Sequence, residues 1–308
     1  MSKPVICIGA AHIDELFHAS GKVLLATTSD ATITKTAGGV SRNIAHQLAI
    51  LDVPVQLISV FGDDSDGHWI KEICTAAGVK LDASITIRGG TGKYTGILNA
   101  DGSLFTAFLT NANNHLVTPE HLNKNRSLLE TSLFILADAN LSKDTINWLL
   151  RFSNKTGIKL IIEPVSVPPA SKLASIDLHG LYLVTPNEDE LPVLSHAPSV
   201  STKKQIEEVL QRGVEYVWLH NGVHGSTIAH KEKTISLHAS LVDVKDCTGA
   251  GDGSLSGFIL GKYLGKEDMD CLKLAHTLAA EILQVNGAIA THLTQEKLLS
   301  LVSKYYPE

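Results

Sequence analysis

The sequence predicts an α/β fold: a mainly parallel central sheet covered by helices, carrying a small additional β-sheet. Three observations predict it. Short β-rich runs alternate with helical stretches along the chain, the pattern of a parallel sheet with helices on both faces. Two segments break the alternation with strand–turn–strand material and no helix between the strands. Glycine-rich turns stand directly ahead of helix starts, where free backbone N–H groups gather at the positive end of the helix dipole.

The elements follow in order. Val5–Ile8 reads as the first strand, and Val55–Val60, Leu133–Ala137, Leu160–Ile162, Leu181–Val184 and Tyr216–Leu219 continue the sheet. Between them lie candidate helices at Ser41–Leu51, Trp69–Ala77, Lys143–Lys155, Lys203–Arg212, Gly253–Leu264 and Cys271–Val285. Residues near 14–36 hold Val23-Leu-Leu-Ala-Thr-Thr and Ala31-Thr-Ile-Thr-Lys-Thr; residues near 88–110 hold Tyr94-Thr-Gly-Ile-Leu, a turn at Asn99-Ala-Asp-Gly102, and Leu104–Leu109. A small sheet built from these two insertions, lying over the end of the main sheet, would make a lid on a single domain spanning 1–308. No repeats, charge blocks or low-complexity tracts interrupt the chain.

Composition bounds the function. With 44% hydrophobic and 19% charged residues, 308 residues can bury a sizeable core. A net charge of −6 gives no electrostatic footprint for nucleic acid or anionic membrane. No apolar run approaches the roughly 20 residues of a membrane span, and the start of the chain lacks a signal-peptide pattern. The four cysteines are far apart without a Cys-x-x-Cys pair, and the fourteen histidines show no zinc-ligand spacing. A cytoplasmic enzyme with reduced thiols fits these features.

Four motifs carry chemistry. Asp246-Cys-Thr-Gly-Ala-Gly-Asp252 precedes a small, apolar run suited to a buried helix. Its glycines would offer N–H groups to an anion. A carboxylate beside an anion site is explained if Asp252 takes a proton from a hydroxyl that attacks phosphorus; a tight turn capped by an aspartate explains it too. Ala37-Gly-Gly-Val-Ser-Arg-Asn43 leads into a helix, with Asn43 able to donate and accept. Pro186-Asn-Glu-Asp-Glu190 follows a strand, where carboxylates suit hydrated magnesium or simply complement a helix dipole. His220-Asn-Gly-Val-His-Gly225 runs from a strand into a glycine turn, which an ordinary hairpin also explains. Two competing phosphate-binding designs are weakened. No Gly-x-x-x-x-Gly-Lys-Ser/Thr occurs, and Gly90–Gly96, its nearest imitation, leads into strand-like sequence; Gly9-Ala-Ala-His12 is not Gly-x-Gly-x-x-Gly.

In order and over nearly the whole chain, these motifs resemble the ribokinase-like (PfkB) carbohydrate and nucleoside kinases. Gly38, Gly39 and Asn43 match the first signature. Asp246, Thr248, Gly249, Ala250, Gly251 and Asp252 match the second, with Cys247 where the family has Thr. Asn187 with Glu190, and Gly222 with Gly225, match the nucleotide-side elements. Within the family, Gly38–Ala45, Ala137–Ser142 and Glu163–Ser166 look most like pseudouridine kinases. His12, where those enzymes carry Asn two residues before the substrate aspartate, and Glu163, where Asp is commoner, depart from the pattern.

The resemblance implies a three-layer ribokinase-like domain and transfer of the γ-phosphate of ATP to a primary hydroxyl, with pseudouridine as the acceptor. Another ribonucleoside, or a sugar such as ribose or fructose, is the alternative acceptor. A silent sugar-binding homologue would lack the base, and Asp252 is intact. Asp252 would be the base and the Gly249, Ala250 and Gly251 N–H groups the anion hole. Asp14, Gly38, Gly39, Asn43 and Asn140 would hold the acceptor. Asn187, Asn221, Gly222, Gly225, Thr248 and His276 would meet ATP, His276 being explained equally well as a core-facing helix residue. Glu190 and Asn187 would hold Mg2+ through water. Asp246 and Thr248 could serve a monovalent cation such as K+, and a lid sheet could pair two copies into a homodimer.

Overall fold

The computed structural model describes residues 3–307. The first part of the chain runs β1 (Val5–Ile8), β2 (His12–Ala19), β3 (Ala31–Gly38), α1 (Val40–Ile50), β4 (Val55–Ile58), β5 (Val60–Gly62), α2 (Ser65–Ala76), β6 (Ile85–Ile87), β7 (Lys93–Leu98) and β8 (Leu104–Thr110). Helices α3 (Pro119–Lys124) and α4 (Arg126–Leu129) lead to β9 (Phe134–Asp138), α5 (Lys143–Thr156), β10 (Lys159–Glu163), α6 (Val167–Ala174), β11 (Leu183–Val184), α7 (Leu191–Ser195) and α8 (Thr202–Gln211). The chain closes with β12 (Tyr216–His220), β13 (Ser226–Ala229), β14 (Thr234–Leu237), α9 (Ala250–Tyr263), α10 (Asp268–Leu283) and α11 (Gln295–Tyr305).

Eight strands form the central sheet in the order β14-β13-β12-β11-β10-β9-β1-β4. From β12 to β4 every pairing is parallel; β13 and β14 add an antiparallel edge. Strand β1 is buried on both faces, and its side chains alternate between two cores. Val5 and Cys7 join a layer with α1, α9 and α10, whereas Ile6 and Ile8 join one with α5, α6, α7 and α8. The result is three layers, helix–sheet–helix, and the near-continuous apolar strands follow from it. From β1 the chain builds towards β4 on one side and later towards β9 and β10 on the other. The carboxyl ends of β1 and β9 therefore flank a topological switch point, where open α/β sheets form their ligand crevice.

A separate four-stranded sheet has the order β3-β2-β7-β8. Its first strand is His12–Ala19, directly after β1, and Val23–Thr28 is not a strand. That stretch is too exposed to behave as a half-buried strand, with Leu24 and Leu25 open to solvent. Strands β2 and β7 pair in parallel, so the sheet is two hairpin-like insertions joined side by side, not one meander. In register, Thr36, Asp14, Tyr94 and Leu109 share one face. Phe17, Ile33 and Ile97 share the other.

Helices α9 and α10 pack unusually close. A side chain at Gly257 would collide with the backbone of Leu274 and Ala275, and one at Gly261 with Cys271. The glycines that make α9 look weakly amphipathic are what let the two axes approach.

Candidate active site

The crevice at the switch point is built by three chain turns. Gly9 and Ala10 leave β1, Gly38 and Gly39 enter α1, and Asp138 ends β9. Asp138 is fully buried and ties the three together. Its Oδ2 accepts from Ala10 N at 2.7 Å, Ser41 Oγ at 2.7 Å and Ser41 N at 3.3 Å; its Oδ1 accepts from Asn140 N at 3.0 Å. These are charge-assisted bonds, and they fix the first turn of α1 against the sheet. Asp138 lies within Ala137–Ser142, and nothing in that stretch alone gives it a role. A single aspartate at a strand end carries no signal of the partners that folding brings to it.

Gly38 and Gly39 are required by close approach. A side chain at Gly38 would occupy the space of the Asp14 carboxylate, and Gly39, at φ +99°, would strike Ala10 O. Asp14 lies at the start of β2, and its Oδ1 is 3.1 Å from His12 Nε2. A carboxylate only accepts, so the His12 ring presents an N–H to it. The departure at His12 thus places a donor on the very carboxylate expected to hold the acceptor.

Asn43, in the first turn of α1, donates from Nδ2 to Asp252 Oδ2 at 2.6 Å, joining two motifs 209 residues apart. Its Oδ1 is buried without a partner among the described residues. Asp252 lies in the first turn of α9, half-buried, with protein packed around all but its open side. Burial lifts its carboxyl to about 7; the Asn43 bond and the Arg42 guanidinium pull it down, and Asp138 and Asp14 push it up. Arg42 was not singled out from sequence. It is almost wholly buried, donates to the Gly38 and Ala37 carbonyls, and makes no carboxylate ion pair among the described residues. It is therefore a fixed positive charge behind a site of converging carboxylates.

Helix α9 is preceded by its N-cap, Gly249, whose φ of +76° and crowding by Ala288 suit only glycine. The expected N–H cradle differs in one member. Ala250 N makes a long bond to Cys247 O at 3.4 Å, whereas the N–H groups of Gly249, Gly251 and Asp252 meet no protein acceptor among the described residues. Asp246 shapes the approach: its carboxylate takes Thr248 N and Gly287 N, each at 2.9 Å. Cys247 is a free, exposed thiol, and Thr248 is also exposed.

On the other side, the ends of β11 and β12 are joined by a bridge between Asn187 and His220. Asn187 donates to both oxygens of Glu190, from N and from Nδ2, each at 3.0 Å. Burial raises the Glu190 carboxyl, with the Asn187 bonds opposing. The pair closes the turn ahead of α7, and each Glu190 oxygen keeps a further lone-pair direction. Asn221 opens the Gly222–His224 turn, and Asn221 N reaches Gly225 O at 2.8 Å, so the glycine turn is the head of the β12–β13 hairpin.

His276 is placed in the core of α10, and both its nitrogens are engaged. Trp218 Nε1 donates to Ser226 Oγ at 2.8 Å, Ser226 Oγ lies 2.7 Å from His276 Nε2, and His276 Nδ1 lies 3.1 Å from the Tyr306 hydroxyl. Burial lowers the imidazole to about 4, so it is neutral. The ring can offer a nucleotide its edge or face, not a free nitrogen. Glu163, at the end of β10, is driven well above the usual carboxylate range by burial and then by Asp252, Glu190 and Asp138.

The arrangement brings together a carboxyl raised to about 7 at a helix N-terminus, a second carboxylate, Asp14, beside the Gly38–Gly39 turn, and the separate strand ends of β11 and β12. The chain matches the model described as pfkB family carbohydrate kinase over residues 3–295. It is 27% identical to an uncharacterised sugar kinase of Escherichia coli (strain K12), covering 96% of this chain and 83% of that one. It is also 27% identical to the pseudouridine kinase of the same organism, covering 82% of each. Arabidopsis thaliana ribokinase, solved with ribose and ATP, superposes with a TM-score of 0.86 at 24% identity, covering 98% of this chain and 99% of that one. A family match spanning both glycine motifs, on the ribokinase-like fold, means that the chain belongs to the pfkB family of carbohydrate kinases, phosphotransferases acting on an alcohol group.

Proposed function

We propose that this kinase transfers the γ-phosphate of ATP to the 5′-hydroxyl of pseudouridine. The observation that carries the transfer chemistry is the Asn43–Asp252 pair at the N-terminus of α9. Asp14 accepts hydrogen bonds from sugar hydroxyls, and the attacking hydroxyl gives its proton to Asp252 Oδ1 or Oδ2. The free N–H groups of Gly249, Gly251 and Asp252 stabilise charge on the phosphate oxygens. Little covalent work is asked of the protein, so positioning and preorganised dipoles suffice. Asn187, Asn221, Gly222, Gly225 and Thr248 meet the nucleotide. Glu190 and Asn187 fit a magnesium ion held through its waters, where it would neutralise phosphate charge. The Asp246 loop is the place for a monovalent cation.

The pseudouridine assignment is supported by Gly38–Ala45, Ala137–Ser142 and Glu163–Ser166, and by the pseudouridine kinase relative. The uncharacterised sugar kinase is as similar, which keeps a simple sugar such as ribose, or another ribonucleoside, as the second reading. Comparing kcat/KM for pseudouridine, uridine and ribose with ATP and magnesium decides between them. A marked preference for pseudouridine is expected; equal values for the two nucleosides, or turnover of ribose alone, would sink it.

The same reading makes 1–308 one catalytic unit, with the β3-β2-β7-β8 sheet as a lid. Its face opposite Asp14, carrying Phe17, Ile33 and Ile97, supports pairing of two copies. No helix is long and apolar enough to cross a membrane among the described residues, and a cytoplasmic enzyme on a small-molecule substrate, without nucleic acid or membrane as partner, fits this proposal.

A further inference from the structure

Between the two sheets lies a small pocket lined by amides. Asn111, Asn113, Asn114 and Asn140 line it, with His12 and Leu109. It adjoins the acceptor site: His12 is the residue whose ring meets Asp14, and Asn140 follows Asp138, to which its N–H is bonded. Three of the four asparagines come from one short stretch just beyond β8. Asn111 holds a left-handed φ of +50°, a conformation asparagine tolerates better than most residues.

The orientation of two amides is set by chemistry. Asn111 Nδ2 lies 3.4 Å from Thr91 O, and Asn113 Nδ2 lies 3.2 Å from Gly90 O. A carbonyl only accepts, so the NH2 group must face it, and each side chain keeps Oδ1 and one further N–H for another partner. The side chains of Asn114 and Asn140 have no protein hydrogen-bond partner among the described residues. Each retains a full donor and acceptor set. A pocket for a bare sugar needs hydroxyl partners, which Asp14 and Asn43 already supply. Four further amides with surplus acceptors suit a planar ring bearing alternating N–H and C=O groups.

We propose that Asn111, Asn113, Asn114 and Asn140 read the base of a nucleoside acceptor, selecting a cyclic imide or ureide edge. This inference rests on the sugar/nucleoside kinase reading of the adjoining Asp14 and Asp252 site. The anchored amides accept from ring N–H groups; the unanchored pair donates to ring carbonyls and accepts in turn. A carbon-linked uracil offers two ring N–H groups, a nitrogen-linked one offers a single N–H, and ribose offers none. The pocket therefore ranks them in that order, because a site built to bond an N–H leaves its acceptors unpaired when the group is missing.

The test is binding and turnover with pseudouridine, uridine and ribose, in wild type and in an Asn114→Ala variant. That side chain makes no internal bond among the described residues, so the fold does not depend on it. Binding measured by calorimetry in an Asp252→Asn background separates recognition from chemistry. The Asn114→Ala variant is expected to lose about tenfold in pseudouridine affinity and kcat/KM, with ribose binding and ATP KM changed less than about twofold. Equal losses for pseudouridine and ribose, or no loss for pseudouridine, overturn the inference while leaving the kinase reading intact. Failure of the kinase reading has a different signature: wild type would transfer phosphate to none of the three acceptors.

Discussion

Asp252 is caught between a burial that favours its neutral form and two neighbours, Asn43 and Arg42, that favour its charge. The balance leaves it near 7, where a carboxylate is a stronger base than usual yet still available at neutral pH. As the proposed base, Asp252 must be ionised, so kcat/KM should rise with pH through about 7 and then level off. A profile flat from pH 5 to 8 would remove Asp252 from that role. Asp252→Asn should keep ATP binding and lose about 10²–10⁴-fold in turnover, read from initial rates against ATP titrations. Asp14→Ala should raise the acceptor KM far more than the ATP KM, since it strips hydrogen bonds from sugar hydroxyls in an enclosed site. Asp138 has a different character. Its carboxylate meets donors from Ala10, Ser41 and Asn140 inside the core. Asp138→Ala would strand them, at about 1–3 kcal/mol for each donor left unpaired. A denaturant midpoint within error of wild type would show the carboxylate to be dispensable. Asp252 and Asn43 were legible because glycine motifs mark helix starts locally. Asp138, Arg42 and the asparagines beyond β8 were not: partners of Asp138, Asn111 and Asn113 come from 20 to 128 residues away, and those of Arg42 lie at the end of the preceding strand.

Among elements, the buried parallel strands were legible because a strand covered on both faces is a short apolar run. The second sheet was legible as two strand–turn–strand insertions, but its strand bounds were harder. β2 carries Asp14, Glu15 and His18 amid apolar residues and follows β1 after only three residues, so the pattern does not mark where one strand ends and the next begins. The short helices α3, α4, α6 and α7 offer too few turns to show a period. Helix α9 shows a third case. Its glycines predict a buried helix, and the structure shows their reason in the contact with α10. Gly257→Val should therefore destabilise the protein by about 1–3 kcal/mol through overpacking, and should also lower activity by moving the helix that carries Asp252. Thermal unfolding and kcat measured together test this. A stable variant with full activity would mean that the α9–α10 contact is loose.

At the scale of the molecule, the second sheet has two faces with different chemistry. The face with Asp14, Tyr94 and Leu109 looks into the crevice, and Leu109 lines the amide pocket. On the opposite face, Phe17 is the cross-strand partner of both Ile33 and Ile97, and Ile33 is 57% exposed. Phe108, paired with Thr95 on that same face, is 58% exposed. Adjacent exposed aromatic and branched side chains on a sheet are a surface that water disfavours and a second copy would cover. A two-fold pairing of such faces is self-complementary and closes on itself. It would also brace the second sheet against the crevice, coupling assembly to acceptor binding. Ile33→Lys/Phe108→Lys places two charges on that face without touching Asp14 or the pocket. The double variant should run as a monomer in light scattering where wild type runs as a dimer, and should show a raised acceptor KM with ATP binding preserved. A monomeric wild type would refute the pairing, and a monomeric variant with an unchanged acceptor KM would refute the coupling.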